Sequence, residues 1–403
     1  MDNKSIFLQK ETIRKISRPK NEFVIFVYVI TTLNIIFFPF LRKIPYSNFV
    51  DEICILCLLL WGLLYIKLSE TKEIIICFSI LIFYLAYSAI WGANKPIAAA
   101  YDFVLFLKPF ISFYIASLIK YRIGIELKKK LKWLFVILGL YCWFILPYIS
   151  IIYSNTTGYY PACILCAVSY LFFSDLKRKD WIIALLFLTP GLFSIRAKFF
   201  TQYVLFVFIA FLLKKRIHLN LKWIVVFSIL ASISIYISWA KFNIYFLSGD
   251  TDLARTALYL RSIDIAKDYI PFGSGFGTYG TEAAAKYYSP LYHKYNLDYI
   301  WGLGIDDNGT SYSFSKDTFY PVLAAQFGIV GIVLFVLFWY KRWTFAKLFL
   351  KFESYKLFFF LFMVEAIQNL ADNAFSGPFG IPIMMLLGLL LNHKKKEIIE
   401  KKY

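Results

Sequence analysis

Twelve apolar runs, most of them close to twenty residues long, follow one another along this chain, and they limit what it can fold into more than any other feature. About 20 residues at a rise of 1.5 Å cross the ~30 Å of hydrocarbon in a bilayer. The runs lie at 22–40, 49–68, 73–91, 98–119, 131–153, 160–173, 181–193, 199–213, 221–240, 318–340, 357–371 and 378–391. Those at 160–173, 181–193 and 378–391 are short, so the expected count is ten to twelve. Backbone in lipid must satisfy its own hydrogen bonds, which leaves helices as the form for spans of this length. The expected fold class is therefore all-α and polytopic. With 60% hydrophobic and 17% charged residues, the composition excludes an ordinary soluble domain.

Charge sets the orientation. Lys and Arg collect in the N-terminal tail, at Lys67 and Lys72, between Lys120 and Lys132, in LKRK at 176–179, around KKRIHLNLK at 214–222, between Lys341 and Lys356, and in the C-terminal tail. With twelve spans these segments share one face, and short cytoplasmic connections are where such residues accumulate. Both termini are expected in the cytoplasm. The net charge of +19 then reports topology and attraction to anionic lipid, and no nucleic-acid partner is expected. The N-terminal tail is too long and too charged to read as a cleavable signal. Six cysteines lie in apolar runs, two pairs of them (Cys54 and Cys57, Cys163 and Cys166) spelled CILC. That spacing suits a metal or redox centre, but inside apolar helices cysteine serves as a small hydrophobe, and no metal is expected.

One connection is long. Residues 241–317 divide the chain into a membrane region at 1–240, an outer-face loop, and a second membrane region at 318–403. Long loops are usually binding or catalytic elements. Within it, 254–269 is expected to be helical and Pro271 to end the helix. GSGFGTYG follows at 273–280. Glycines at this density let backbone approach something closely. The stretch follows a helix rather than a strand and has no GK[ST] ending, so a dinucleotide fold and a Walker loop are excluded. Outside the cytoplasm the available phosphate is the pyrophosphate of a lipid carrier; a plain turn is the other reading.

Arg255, Tyr259, Pro271, Gly273, Gly275, Gly277 and Tyr279, followed by DTFYPVLAAQFGIVG at 317–331, resemble the O-antigen polymerase and O-antigen ligase superfamily over about a third of the chain. In the ligases a His and a small polar residue precede Gly-x-x-Gly by nine residues; here Asp317 and Thr318 hold those places before Gly328 and Gly331. Replacement of the His by Asp317 points to the Wzy-type polymerase branch. The resemblance implies a glycosyltransferase at the outer face of the bacterial cytoplasmic membrane, compatible with a GT-C-like architecture. It would extend O-antigen or capsular glycan from an undecaprenyl-pyrophosphate-linked donor without a cofactor, beside a flippase and a chain-length regulator. Such an enzyme needs cations at its leaving pyrophosphate, and arginine suits this best because its planar fork binds phosphate through two donors. Arg255 and then Arg261 are the expected catalytic cations. Arg196 and Lys198, in the outer turn between the seventh and eighth helices, resemble the family's other outer-loop arginine or act as interfacial anchors. Gly273, Gly275, Gly277 and Tyr279 are the expected pyrophosphate-binding segment. Asp317 is either the general base or a helix N-cap. A ligase acting on lipid A core and a lipid-linked oligosaccharide flippase are the alternatives.

Two charges fall in mid-span, Lys108 and Glu365, and are expected to pair with one another or to line a cavity. The loop is crowded with rings: Tyr279, Tyr287, Tyr288, Tyr292, Tyr295, Tyr299, Trp301 and Tyr312 either stack on sugars or anchor at the interface. His293 is expected to be packed or solvated.

Overall fold

The computed structural model describes residues 22–41, 43–44, 49–66, 72–119, 123–153, 158–217, 221–237, 239, 243–244, 253–305, 314 and 318–400. Among these the regular structure is helical, with no strand. The main helices are α1 (Phe23–Ile36), α2 (Val50–Tyr65), α3 (Lys72–Trp91), α4 (Pro96–Leu118), α5 (Ile125–Ile145), α6 (Tyr159–Phe173), α7 (Arg178–Leu188), α8 (Ala197–Val207), α9 (Leu221–Ile237), α10 (Ala254–Asp268), α11 (Tyr320–Phe349), α12 (Phe352–Gln368) and α13 (Gly380–Glu400). Every one of the twelve apolar runs overlaps one of them.

Among the described residues, four segments are long and apolar enough to cross a membrane: Lys72–Trp91, Pro96–Leu118, Ile125–Ile152 and Tyr320–Phe349. Phe23–Ile36, Tyr159–Phe173, Ala197–Leu212 and Gly380–Asn392 are shorter apolar helices. The chain is therefore an all-α protein with membrane-spanning helices.

The core centres on α6. It is apolar all round, as a helix enclosed by others must be, and all but two of its residues are buried. It packs on α1, α5, α7 and α12. Its few polar groups find partners across helices, Ser169 with the Tyr28 hydroxyl at 2.6 Å and the Tyr159 hydroxyl with the Cys142 carbonyl at 2.6 Å. Cys142, Cys163 and Cys166 are buried together between α5 and α6. α4 packs along α13. A Cβ on Gly388 would stand 2.4 Å from the Phe113 carbonyl oxygen, so glycine sets this spacing.

Lys108 does not pair with Glu365. Its ammonium donates to Asp51 Oδ2 at 2.8 Å and Glu52 Oε1 at 2.7 Å, both on the first turn of α2, and the Lys108 and Asp51 side chains are each 5% exposed. Glu365 takes its bond from Asn369 Nδ2 at 3.2 Å. A buried cation takes the carboxylate that helix packing puts within reach, and α4 packs on α2.

The long loop carries its own apolar cluster. Leu258 and Ile265 of α10 pack with Tyr279, Leu291, Tyr292, Leu297 and Leu303, and the cluster closes on Ala325 of α11. Tyr279 and Tyr292 thus belong to a core rather than to a sugar-stacking surface. Tyr299 and Trp301 are exposed at 85% and 73%. Tyr312 lies outside the described residues. His293 is exposed and meets Asp298 at 2.7 Å.

Candidate functional site

α10 ends where expected, and the glycine segment folds back from it onto α11. Gly273, Gly275, Gly277 and Gly280 all have positive φ, between 67° and 92°, a region L side chains rarely adopt. α11 is broken at Gly328, where φ is 59° and ψ is −160°. The break leaves carbonyls of the preceding turn without helical donors. Ser274 N donates to Ala325 O at 2.8 Å and Gly275 N to Gln326 O at 2.9 Å, while Val330 N turns out to Pro271 O at 3.3 Å. The loop thus takes up the hydrogen bonds that the helix gives away.

Four further amides of the segment are also engaged. Gly273 N donates to Tyr269 O at 2.7 Å, Phe276 N to Ser88 Oγ at 2.7 Å, Gly277 N to Asp102 Oδ2 at 2.7 Å and Gly280 N to the Tyr292 hydroxyl at 3.1 Å. Residues 273–280 are buried throughout. A Cβ on Gly277 would lie 2.5 Å from Ala98 O, and one on Gly275 would lie 2.8 Å from Ser88 Oγ. The close approach that Gly273, Gly275 and Gly277 permit is therefore to α3, α4 and α11 of this chain. The amides of these three glycines, expected in the pyrophosphate-binding segment, donate to groups of this chain. Tyr279 is likewise enclosed, its hydroxyl on Leu258 O at 2.7 Å.

Two of the other expected residues, Lys198 and Arg255, meet elsewhere, just past the C-terminal end of α12. Helix C-termini leave carbonyls without partners and carry partial negative charge, so cations and hydroxyls gather there. Tyr320, on the first turn of α11, donates to Ala366 O at 3.0 Å. Tyr259 donates to Leu370 O at 2.8 Å, and Arg255 Nη2 to Ala371 O at 3.3 Å. Arg255 and Tyr259 are four residues apart and share one face of α10. From the opposite side comes the turn before α8. Lys198 forms an ion pair with Asp372 and lies 5.4 Å above the Tyr160 ring. Arg196, the N-cap of α8, is half-buried.

Below this rim is a buried polar layer. The Tyr160 hydroxyl bonds Gln368 Oε1 at 3.0 Å, and Gln202 Nε2 donates to Val364 O at 3.3 Å. Asn369 accepts from Phe375 N at 2.9 Å while donating to Glu365. Glu365 is 1% exposed, and its second carboxylate oxygen has no hydrogen-bond partner.

Two of the expected cations, Lys198 and Arg255, are thus brought to one rim, at Asp372 and Ala371, although they lie 57 residues apart in sequence, and Arg196 stands at the N-cap of α8. Arg261 is not among them. It lies half-exposed, paired with Asp264 at 3.4 Å on its own helix. Asp317 lies outside the described residues. Asp372, Gln368 and Glu365 complete the site and were not selected from the sequence as catalytic groups. The mid-span position of Glu365 was the one signal available. Burial pushes the Tyr259 hydroxyl up to about 12, so it remains a donor through the neutral range.

Comparison with known proteins gives no match to a family model, to a curated protein or to a solved structure.

Proposed function

We propose that this protein is a Wzy-type polysaccharide polymerase of the bacterial cytoplasmic membrane, with about twelve spans and both termini inside. It joins lipid-pyrophosphate-linked oligosaccharide repeat units into O-antigen or capsular glycan at the outer face. The observation that carries the reading is the meeting of Lys198 and Arg255, from two segments distant in sequence, at the neighbouring residues Asp372 and Ala371 just past the end of α12, with Arg196 next to Lys198 at the N-cap of α8.

In the reaction, a hydroxyl oxygen of the acceptor sugar attacks the anomeric carbon of the donor glycan. The bond from that carbon to the phosphate oxygen breaks, and undecaprenyl pyrophosphate leaves with the electron pair. Charge grows on the leaving oxygen, and Arg255 and Arg196 stabilise it as bidentate donors while Lys198 adds a point charge held in place by Asp372. The hydroxyl proton passes to a carboxylate, for which Asp317 at the entry to α11 is proposed. The glycine segment positions: it fastens α10, and with it Arg255 and Tyr259, to α11.

Purified protein in nanodiscs, supplied only with the lipid-pyrophosphate repeat unit, should yield a ladder of products spaced by one repeat and needing no nucleotide. Transfer that appears only after lipid A core is added would move the assignment to a ligase. A folded sample inert in both reactions would return it to a flippase.

A further inference from the structure

A cleft of about 200 Å³ runs between α3, α4 and α11, away from the cation rim. Its floor is apolar, built by Cys77, Phe110, Leu334 and Phe338 among others, and its upper end reaches Tyr84 and Phe327 just beneath the glycine segment. The other end is charged. Lys341 and Arg342 line it with Glu73. Arg342 Nη1 meets Glu73 at 2.8 Å and its guanidinium lies 5.3 Å from the rings of Phe113, Tyr114 and Phe338, while its Nε is buried without a hydrogen-bond partner. Lys341 and the neighbouring Lys72 are exposed. Lys341 and Arg342 against one glutamate leave this mouth positive.

Position along α3 decides which lipid could use it. Ser88 holds the glycine segment and Glu73, on the same unbroken helix, pairs with Arg342, 15 residues or about 22 Å away at 1.5 Å per residue. The Arg342 mouth therefore lies at the end of the cleft away from the glycine segment. By the distribution of Lys and Arg, the Arg342 end is the cytoplasmic one.

We propose that this cleft is a binding site for an anionic phospholipid of the cytoplasmic leaflet, with one acyl chain along Cys77, Phe110 and Leu334 and the phosphate against Lys341 and Arg342. The volume suits a single hydrocarbon chain better than a compact ligand. Basic side chains at the mouth favour a headgroup with net negative charge over a zwitterionic one. The site is independent of the polymerase reading.

Cys77 in the cleft provides the measurement. In a Cys57→Ala background, a membrane-permeant maleimide should label Cys77 about five-fold more slowly in nanodiscs containing phosphatidylglycerol than in pure phosphatidylcholine, the factor expected for one lysine at an anionic surface. Lys341→Gln, at an exposed position, should abolish the difference. Native mass spectrometry should find phosphatidylglycerol retained by the parent chain and lost from Leu334→Trp, which fills the cleft. Equal labelling in both bilayers, or an unchanged difference in Lys341→Gln, would overturn the proposal. Protection by undecaprenyl phosphate but not by phosphatidylglycerol would overturn it too, assigning the cleft to the carrier.

Discussion

Gly273 and Gly328 stand back to back, 55 positions apart in sequence: a Cβ on either would come within 2.5 Å of the other's backbone nitrogen. Both have positive φ. The loop and α11 can meet here only because neither carries a side chain.

Replacing either residue should therefore be costly. Gly273→Ala and Gly328→Ala are each expected to destabilise the protein by about 2–4 kcal/mol, from strain at positive φ and from the clash with backbone. Gly124→Ala, where a Cβ meets nothing within 4 Å, should cost less than about 1 kcal/mol. Thermal unfolding in one detergent would compare the three.

Arg255 and Arg261 should separate. Arg255→Ala is expected to lower ladder formation about 100-fold or more, as loss of a leaving-group donor does. It should cost only about 1 kcal/mol of stability, for the bond to Ala371 O. Arg261→Ala loses one half-exposed ion pair on its own helix and should leave the rate within a few-fold of the parent. Initial rates alongside melting temperatures would show the two changes apart.

Buried charge gives a third expectation. Lys108→Ala strands Asp51 and should cost about 3–5 kcal/mol. A double-mutant cycle of Lys108 with Asp51 should show strong coupling, and the cycle of Lys108 with Glu365 none.

In the loop, the Tyr295 hydroxyl at 2.5 Å, helped by Lys294 at 3.5 Å, holds the Asp268 carboxyl below its ordinary value of 3.8. A carboxyl lowered by folding stabilises the fold above its unfolded pKa and loses that contribution as pH falls through the folded one. The melting difference between the parent and Asp268→Asn should therefore be constant from neutral pH down to about pH 4 and shrink below it. A difference that grew on acidification would contradict the assigned bond.

Local features could be read directly from the chain. Each apolar run became a helix, and α10 runs from Ala254 to Asp268, within a residue of the expected 254–269. Periodicity and Pro271 carry that information locally. The partners of the glycine amides could not be read in the same way. GSGFGTYG announces that backbone comes close to something, but what it meets is Ser88, Asp102, Ala325 and Gln326, brought in by tertiary packing alone. Lys108 is a parallel case: its charge predicts a carboxylate, and only the neighbour relations of α2 and α4 select Asp51. The cation rim was half legible. Arg196, Lys198 and Arg255 could be chosen by type and side of the membrane, whereas Asp372 and Gln368 depend on where α12 ends.

The interrupted helix also sets how substrate can enter. Ala325 and Gln326 give their carbonyls to the loop and not to the next turn of α11, so lifting the loop at this edge would expose unsatisfied carbonyls to an apolar surrounding. The glycine edge is thus a weld and not a hinge. In the proposed polymerase a glycan bound at Arg255 would have to enter by another side of the loop, and Tyr299 and Trp301 are the exposed rings there to meet it.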